Sequence, residues 1–182
     1  MNNTIKEIST DELISLLDKP ETKIIDIRPI NAYNGWCLQN EPRCGHIKGA
    51  KSLPAKWIGY IDWIEIVRSK KILPKHKIVI YGYSSAESEK VAKAFLKAGY
   101  SDISIYNQFI AEWSSTIGLP MQHLERFPQL VYPQWVQTLV SGGTPPHYSN
   151  NKFVICHAHY RNRYAYLGGH IPSAIGMDTL AL

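Results

Sequence analysis

The apolar run in "HKIVIYG", residues 76–82, constrains the fold of this chain more than any other feature. A strand that is apolar throughout is typical of the centre of a parallel sheet, where helices cover both faces. The helical pattern "SEKVAKAFLKAG" follows at once; Val91 and Phe95 lie on its apolar stripe and Gly99 is the expected C-cap residue. The chain is therefore predicted to be an α/β protein.

Strand and helix patterns alternate through residues 1–122. "TIKEIS", "TKIIDIR" and "DISIYN" predict strands, "DELISLLD" and "FIAEWSSTIGLP" predict helices, and "GHIKGAKSLP" predicts an edge strand. In "AKWIGYIDWIEIVRS", the helical spacing of Trp57, Ile61, Ile64 and Val67 predicts a helix that packs on the sheet. This alternation indicates a parallel sheet between two helical layers.

Residues 123–182 repeat the opening pattern. "LVYPQWVQTLVSG" resembles the first strand and helix, "NKFVICHA" the second strand, and "GGHIPSAIGMD" restates "CGHIKGAKSLP". The repeat ends before any counterpart of "KIVIYG". We therefore predict one domain over residues 1–122 and a partial second domain over residues 123–182.

Composition excludes several classes of protein. A net charge of +5 comes from scattered lysines, which favours a solvated surface over a nucleic-acid site. The basic and aromatic stretch "HYRNRYAY", residues 159–166, is interpreted in the same way. With no run of 18 apolar residues and no apolar N-terminal segment, no membrane partner is predicted. The expected location is the cytoplasm, or the periplasm if a signal peptide was removed.

The chain has three cysteines, Cys37, Cys44 and Cys156. So few cysteines argue against a disulfide scaffold and favour a reducing compartment, although Cys37 and Cys44 are close enough to pair or to bind a metal. In "CHAH", residues 156–159, alternate side chains of a strand face opposite ways, so at most two ligands converge there. No metal and no cofactor are predicted.

The chain resembles the rhodanese family. The resemblance rests on "KIIDIR", "GHIKGAKSLP", "IVIYGYSSAESEKVAKAFLKAGY" and "ISIYNQFIAEWSSTIGLP", in that order, and the tail resembles the first half of a second such domain, as in tandem sulfurtransferases. It implies a three-layer α/β/α fold with a five-stranded parallel sheet of strand order 3-2-4-5-1. It also implies that half a domain exposes an edge of its second strand.

In active members of this family, a loop cysteine carries sulfur as a persulfide and is followed, after four residues, by arginine and serine. The corresponding loop here is Gly82, Tyr83, Ser84, Ser85, Ala86, Glu87 and Ser88. Glycine replaces the sulfur carrier, and the carboxylate of Glu87 opposes an anion at the helix start. The loop serines are expected to cap the helix, because no histidine in the loop is placed to activate them. We predict a degenerate site with no catalytic residue.

Other candidate residues are expected to be structural. Asp26 and Arg28 are predicted to hold a strand end and the "GHI" turn, and His46 and His170 to be hydrogen-bonded within the two "GHI" motifs. Cys156 is assigned to the position of Asp26 in the repeat and is expected to be a buried, inert thiol. The tryptophans are expected in core or inter-domain packing: Trp57, Trp63, Trp113 and Trp135.

The sequence thus predicts a noncatalytic rhodanese-like module with a structural or regulatory role, whose partner is another rhodanese domain or a second chain. One alternative is a piece of an active thiosulfate or persulfide sulfurtransferase whose catalytic cysteine lies beyond residue 182. A second alternative is an anion-binding module that uses the loop without its cysteine. Thiocyanate formation from thiosulfate and cyanide distinguishes the first two functions.

Overall fold

The computed structural model describes residues 5–148 and 152–180. It divides into two compact units, Met1–Phe127 and Pro128–Leu182. The strands are β1 (Lys6–Glu7), β2 (Thr22–Asp26), β3 (His46–Ile47), β4 (Lys51–Ser52), β5 (Lys77–Tyr81), β6 (Ile103–Tyr106), β7 (Met121–Gln122), β8 (Cys156–His159) and β9 (Ile175–Asp178). The α-helices are α1 (Thr10–Leu16), α2 (Ile30–Asn34), α3 (Trp63–Ser69), α4 (Ser85–Lys97), α5 (Pro133–Val140) and α6 (Arg163–Gly168).

The first unit is built on a five-stranded parallel sheet of order β1-β6-β5-β2-β4. Counted along the chain and from the other edge, this is the predicted order 3-2-4-5-1. The apolar strand β5 occupies the centre, as its composition predicts. The predicted fold class is confirmed.

Alternate side chains of β5 pack in two separate cores, because successive side chains of a strand face opposite ways. Ile78 and Ile80 pack with α3 and α4 on one face. Val79 and Tyr81 pack on the other face with α1 and with a π-helical turn, Phe109–Trp113. The sheet therefore lies between two helical layers.

Helix α4 follows the sequence pattern closely. Ser84 is its N-cap residue, and the Ser84 hydroxyl accepts a hydrogen bond from the Glu87 N–H at 3.4 Å. Val91 and Phe95 are fully buried, and Gly99 lies just past the helix end with φ of 91°. The predicted capping role is confirmed for Ser84 and is wrong for Ser88, whose hydroxyl donates to the Ser84 carbonyl.

The predicted single helix over residues 55–69 is wrong. The segment forms a 3₁₀ helix, Ala55–Gly59, and then α3, with turn residues between them. Trp57, Ile64 and Val67 of the predicted face still pack against one core, but the interruption places Ile61 in the turn between the two helices. Val67 is buried, whereas Ile61 is 104% exposed and packs on nothing.

The second unit contains α5, β8, α6 and β9. Strands β8 and β9 run parallel and form a two-stranded sheet. Within the described part of this unit, only Leu139, Pro145 and Ala174 are buried apolar residues. The unit therefore has a far smaller core than the first.

The two "GHI" motifs have the same hydrogen bonds. His46 Nδ1 lies 2.6 Å from the Tyr33 carbonyl oxygen, and the Tyr33 hydroxyl donates to the carbonyl of Ala50, four residues after the histidine. His170 Nδ1 lies 2.9 Å from the Tyr166 carbonyl oxygen, and the Tyr166 hydroxyl donates to Ala174. In both motifs the imidazole stacks on the tyrosine ring.

Candidate functional site

A small cradle lies where β5 ends and α4 begins, at the carboxyl edge of the parallel sheet. It is a cavity of about 400 Å³. Its lining residues are Ile27, Pro29, Gln39, Pro54, Ala55, Lys56, Tyr83, Ser84 and Glu87. Ligands of α/β proteins commonly bind at this edge, so the geometry places the predicted degenerate loop at the expected site.

Gly82 leaves no room for a side chain. A β carbon built on Gly82 would lie 2.7 Å from Cγ1 of Ile27 and 3.0 Å from its Cδ1. Ile27 itself is 2% exposed and β-branched, so it has little freedom to move away. A side chain at position 82 would therefore require the core residue Ile27 to move.

One N–H group of the helix start at the cradle already has a side-chain partner within the protein. Ser84 caps the N–H of Glu87, and the Ser88 hydroxyl donates to the Ser84 carbonyl at 3.1 Å. The carboxylate of Glu87 lines the cavity. The cradle therefore offers an anion fewer free donors and an unfavourable charge.

Arg28 forms the centre of a buried charged cluster beside the cradle. Its guanidinium donates to both oxygens of Asp26, at 3.0 and 2.6 Å, and to the Gly45 carbonyl at 2.6 Å. It also stacks on Phe109 with 4.0 Å to the ring centroid. As predicted, Asp26 and Arg28 join the end of β2 to the turn that precedes His46.

A further partner of Arg28, Glu41, was not predicted from the sequence. Glu41 is 4% exposed and accepts hydrogen bonds from the Tyr83 hydroxyl and from the Gln39 N–H, the latter at 2.8 Å. An Arg28 N–H reaches the same carboxylate at 3.5 Å. Glu41 lies in a polar loop with no periodicity, so nothing in the pattern marks it as buried.

Neighbouring groups shift the pKa values of Arg28 and Glu41 towards their charged forms. Burial alone lowers the pKa of Arg28, but the hydrogen bond and charge of Asp26 outweigh it and raise that pKa. Burial likewise raises the pKa of Glu41, yet the hydrogen bonds from Tyr83 and Gln39 dominate and lower it. Arg28 and Glu41 are therefore both charged at neutral pH.

Cys37 and Cys44 are joined by a disulfide. The sequence left open whether this pair bonds or binds a metal. Among residues 5–148 and 152–180, no group of three or more histidine, cysteine, aspartate or glutamate side chains is placed to hold a metal ion. In that part of the chain, Cys156 is the free cysteine.

The predicted position of Cys156 is wrong on two points. The side chain is exposed, not buried. The sheet register pairs Cys156 with Ile175, five residues after His170, just as Ile25 pairs with Lys51, five residues after His46. Cys156 therefore corresponds to Ile25, and the neighbouring His157 takes the place of Asp26.

The tryptophans separate into two groups. Trp63 and Trp113 are buried, at 7% and 0% exposure, as predicted. Trp57 and Trp135 are only half-buried.

None of the helices over residues 5–148 and 152–180 has the length and apolar character needed to cross a membrane.

Comparison with known proteins gives consistent results. Residues 9–116 match the profile of the Rhodanese-like domain. Over 179 residues the chain is 30% identical to thiosulfate sulfurtransferase YnjE of Escherichia coli (strain K12), a match that covers 95% of this chain and 39% of that protein. The chain thus spans about two fifths of the length of this relative.

Solved structures of a sulfur-handling enzyme are also similar. One is the anaerobic ergothioneine biosynthesis enzyme from Chlorobium limicola in complex with its natural substrate, trimethyl histidine, with 50% identity and a TM-score of 0.75. Another, with the same identity and TM-score, is an EanB variant in which ergothioneine is covalently linked with a persulfide cysteine. Each match covers 98% of this chain and 42% of the solved chain.

Proposed function

The chain belongs to the rhodanese-like family, and from this premise we propose that it is a noncatalytic module of a sulfurtransferase, with a structural or regulatory role. One observation carries the proposal: residue 82 is a glycine, and Cγ1 of the core residue Ile27 lies 2.7 Å from where its β carbon would be. A persulfide needs a thiolate that is held by backbone N–H groups and is open to donor and acceptor. Gly82 supplies a backbone but no thiol.

The sulfur chemistry is then assigned to another part of a longer protein, as in the sequence-based alternative. The match to a persulfide-bearing EanB variant, of which the chain covers 42%, supports this assignment. The proposed partner of the module is accordingly a second rhodanese domain that carries a cysteine. The proposed location remains the cytoplasm, with the periplasm as the alternative.

An anion-binding role is weaker, because Glu87 lines the cavity and Ser84 already caps the helix. This role requires thiosulfate or phosphate to raise the melting temperature of the chain. We expect no shift with either anion, since nothing in the cradle compensates the charge of Glu87 except the exposed Lys56.

The direct test measures thiocyanate formation from thiosulfate and cyanide by the 182-residue chain. We expect the rate of a protein-free blank, and the same rate for the matched control Cys156→Ser. Turnover by the chain that Cys156→Ser abolishes would contradict the noncatalytic assignment and identify Cys156 as the carrier. Turnover that survives this substitution would contradict it as well, and would direct attention to Cys37 and Cys44.

A further inference from the structure

We propose that the Cys37–Cys44 disulfide is a reversible redox site. While it is intact, it holds in place the loop between the two cysteines, which forms one wall of the cradle. Its substrate class is a dithiol, whose attack releases the loop between the two cysteines and frees Glu41 from the buried cluster. This inference goes beyond the noncatalytic role proposed above and does not depend on it. Loss of sulfur transfer and control of the cradle wall are separate properties.

The disulfide is open to attack. Cys37 is exposed and Cys44 is half-buried. The residues that follow Cys37, over 38–40, are exposed as well. A thiolate can therefore approach the Cys37 sulfur without unfolding the sheet.

The loop closed by the disulfide contributes directly to the site. Gln39 lines the cradle cavity, and its N–H donates to the Glu41 carboxylate at 2.8 Å. The same carboxylate accepts the hydrogen bond from Tyr83, the residue next to Gly82, and lies 3.5 Å from an Arg28 nitrogen. The position of the loop thus decides whether the buried cluster is closed.

Both ends of the loop are anchored independently of the disulfide. Before it, Trp36 packs edge-on against Phe127 with 4.7 Å between ring centroids. Within it, beside Cys44, the Arg43 guanidinium donates to the carbonyls of Trp113, Ser114, Thr116, Ile117 and Leu119. Cleavage of the disulfide therefore loosens residues 37–42 and leaves the frame around them in place.

The middle of the loop depends on the covalent link. Asn40 has φ of 57°, in the left-handed region, and it precedes the buried Glu41. The ends of a flexible loop held together by a covalent bond lose that constraint when the bond breaks, and the freed segment samples other conformations. The inward position of Glu41 then rests on its contacts with Tyr83 and Arg28 alone.

The redox step is a two-electron exchange. One thiolate of the dithiol attacks the Cys37 sulfur, the bond between Cys37 and Cys44 breaks, and Cys44 leaves as a thiolate that takes up a proton. The second thiol of the reagent displaces Cys37 from the mixed disulfide and leaves as part of a cyclic disulfide. The protein gains two thiols and the dithiol is oxidised.

The test is amide hydrogen exchange of the full chain, with and without dithiothreitol. Reduction is expected to accelerate exchange of the Gln39 N–H at least tenfold, while the amides of β5 are unchanged. The double variant Cys37→Ser/Cys44→Ser is expected to exchange at the rate of the reduced protein and not to respond to dithiothreitol. Cys156→Ser, the matched control, keeps the full response.

Two results would overturn the proposal. One is an unchanged Gln39 exchange rate after reduction, with two additional free thiols confirmed by titration. The other is a thiol titration of air-purified native protein that finds both Cys37 and Cys44 free. Because reduced wild-type protein is measured beside the double variant, a variant that fails to fold does not leave the question open.

Discussion

Ile27 occupies the place that a β carbon on Gly82 would need, so two residues that are far apart in sequence determine the chemistry of the cradle together. The sequence shows the glycine and predicts the missing thiol. It does not show that Ile27 approaches this position so closely, because a β-branched residue at the end of an apolar strand has the appearance of ordinary core. The close approach depends on the loop backbone, which no periodicity predicts.

This packing predicts that a cysteine cannot simply be restored. Gly82→Cys is expected to lower the free energy of unfolding by about 1–3 kcal/mol, because the new side chain overpacks against Ile27. In Ile27→Ala/Gly82→Cys the sulfur fills part of the cavity, so the loss should be smaller than the sum of the two single losses. Urea unfolding of the four proteins measures the coupling, and additive losses would refute the packing explanation.

His46 carries a second prediction for a single residue. Burial lowers its pKa from the ordinary value of 6.5, because the folded protein favours the neutral ring. The unfolded chain therefore takes up a proton first as the pH falls below 6.5. The contribution of His46 to stability is complete above that pH and is lost on acidification towards its lower folded pKa.

The measurement is urea unfolding at pH 7.5 and pH 5.5. Wild type should lose more stability over this interval than His46→Gln, which has no titrating ring at that position. The exposed His147→Gln should behave as wild type does. An equal pH dependence in His46→Gln and wild type would show that the buried imidazole is not the titrating group.

Among the secondary-structure elements, those with one simple period agree with the sequence. Strands β2 and β5 and helix α4 were predicted because their apolar residues repeat without interruption. The segment over residues 55–69 was predicted incorrectly because it combines two helix types of different period. The conformation of the polar loop over residues 35–45, which brings Glu41 and Arg43 into the structure, follows from no periodicity.

Arg43 shows what such a loop contributes. It satisfies five carbonyls around the π-helical turn and the segment that follows it. Arg43→Lys keeps the charge but loses the planar fork of donors, so we expect a loss of about 2–3 kcal/mol in the free energy of unfolding. The exposed Arg68→Lys should change it by less than about 0.5 kcal/mol. Equal effects of the two substitutions in urea unfolding would contradict this role.

At the scale of the whole molecule, the internal repeat was visible in the sequence and the structure shows its detail. Tyr33, His46 and Ala50 are linked in the same way as Tyr166, His170 and Ala174. The sequence also predicted that the second strand of the repeated half exposes an edge. Over residues 5–148 and 152–180, β2 pairs on both sides with β4 and β5, whereas β8 pairs with β9 alone. Which residue of "CHAH" replaces Asp26 required the register of the strands.

The unequal pairing and burial predict unequal stability within one chain. The amides of β5 lie in the centre of a five-stranded sheet between two cores, so they should exchange only through global unfolding of the first unit. The amides of β8 and β9 lie in a two-stranded sheet, and a sheet of that size is marginal in water. Hydrogen exchange of the intact chain should show β8 and β9 exchanging at least about 100-fold faster than β5.

Two matched substitutions test why the second unit exchanges its amides faster than the first. If the small core limits the second unit, Tyr166→Phe, which removes the hydrogen bond to Ala174, should accelerate exchange in β9 and leave β5 unaffected. Tyr33→Phe is the corresponding change in the first unit. It should accelerate amide exchange in the neighbouring strands less, because β2 remains paired on both sides. Equal protection of β5 and β8 would mean that the second unit gains stability from contacts other than its own sheet and core.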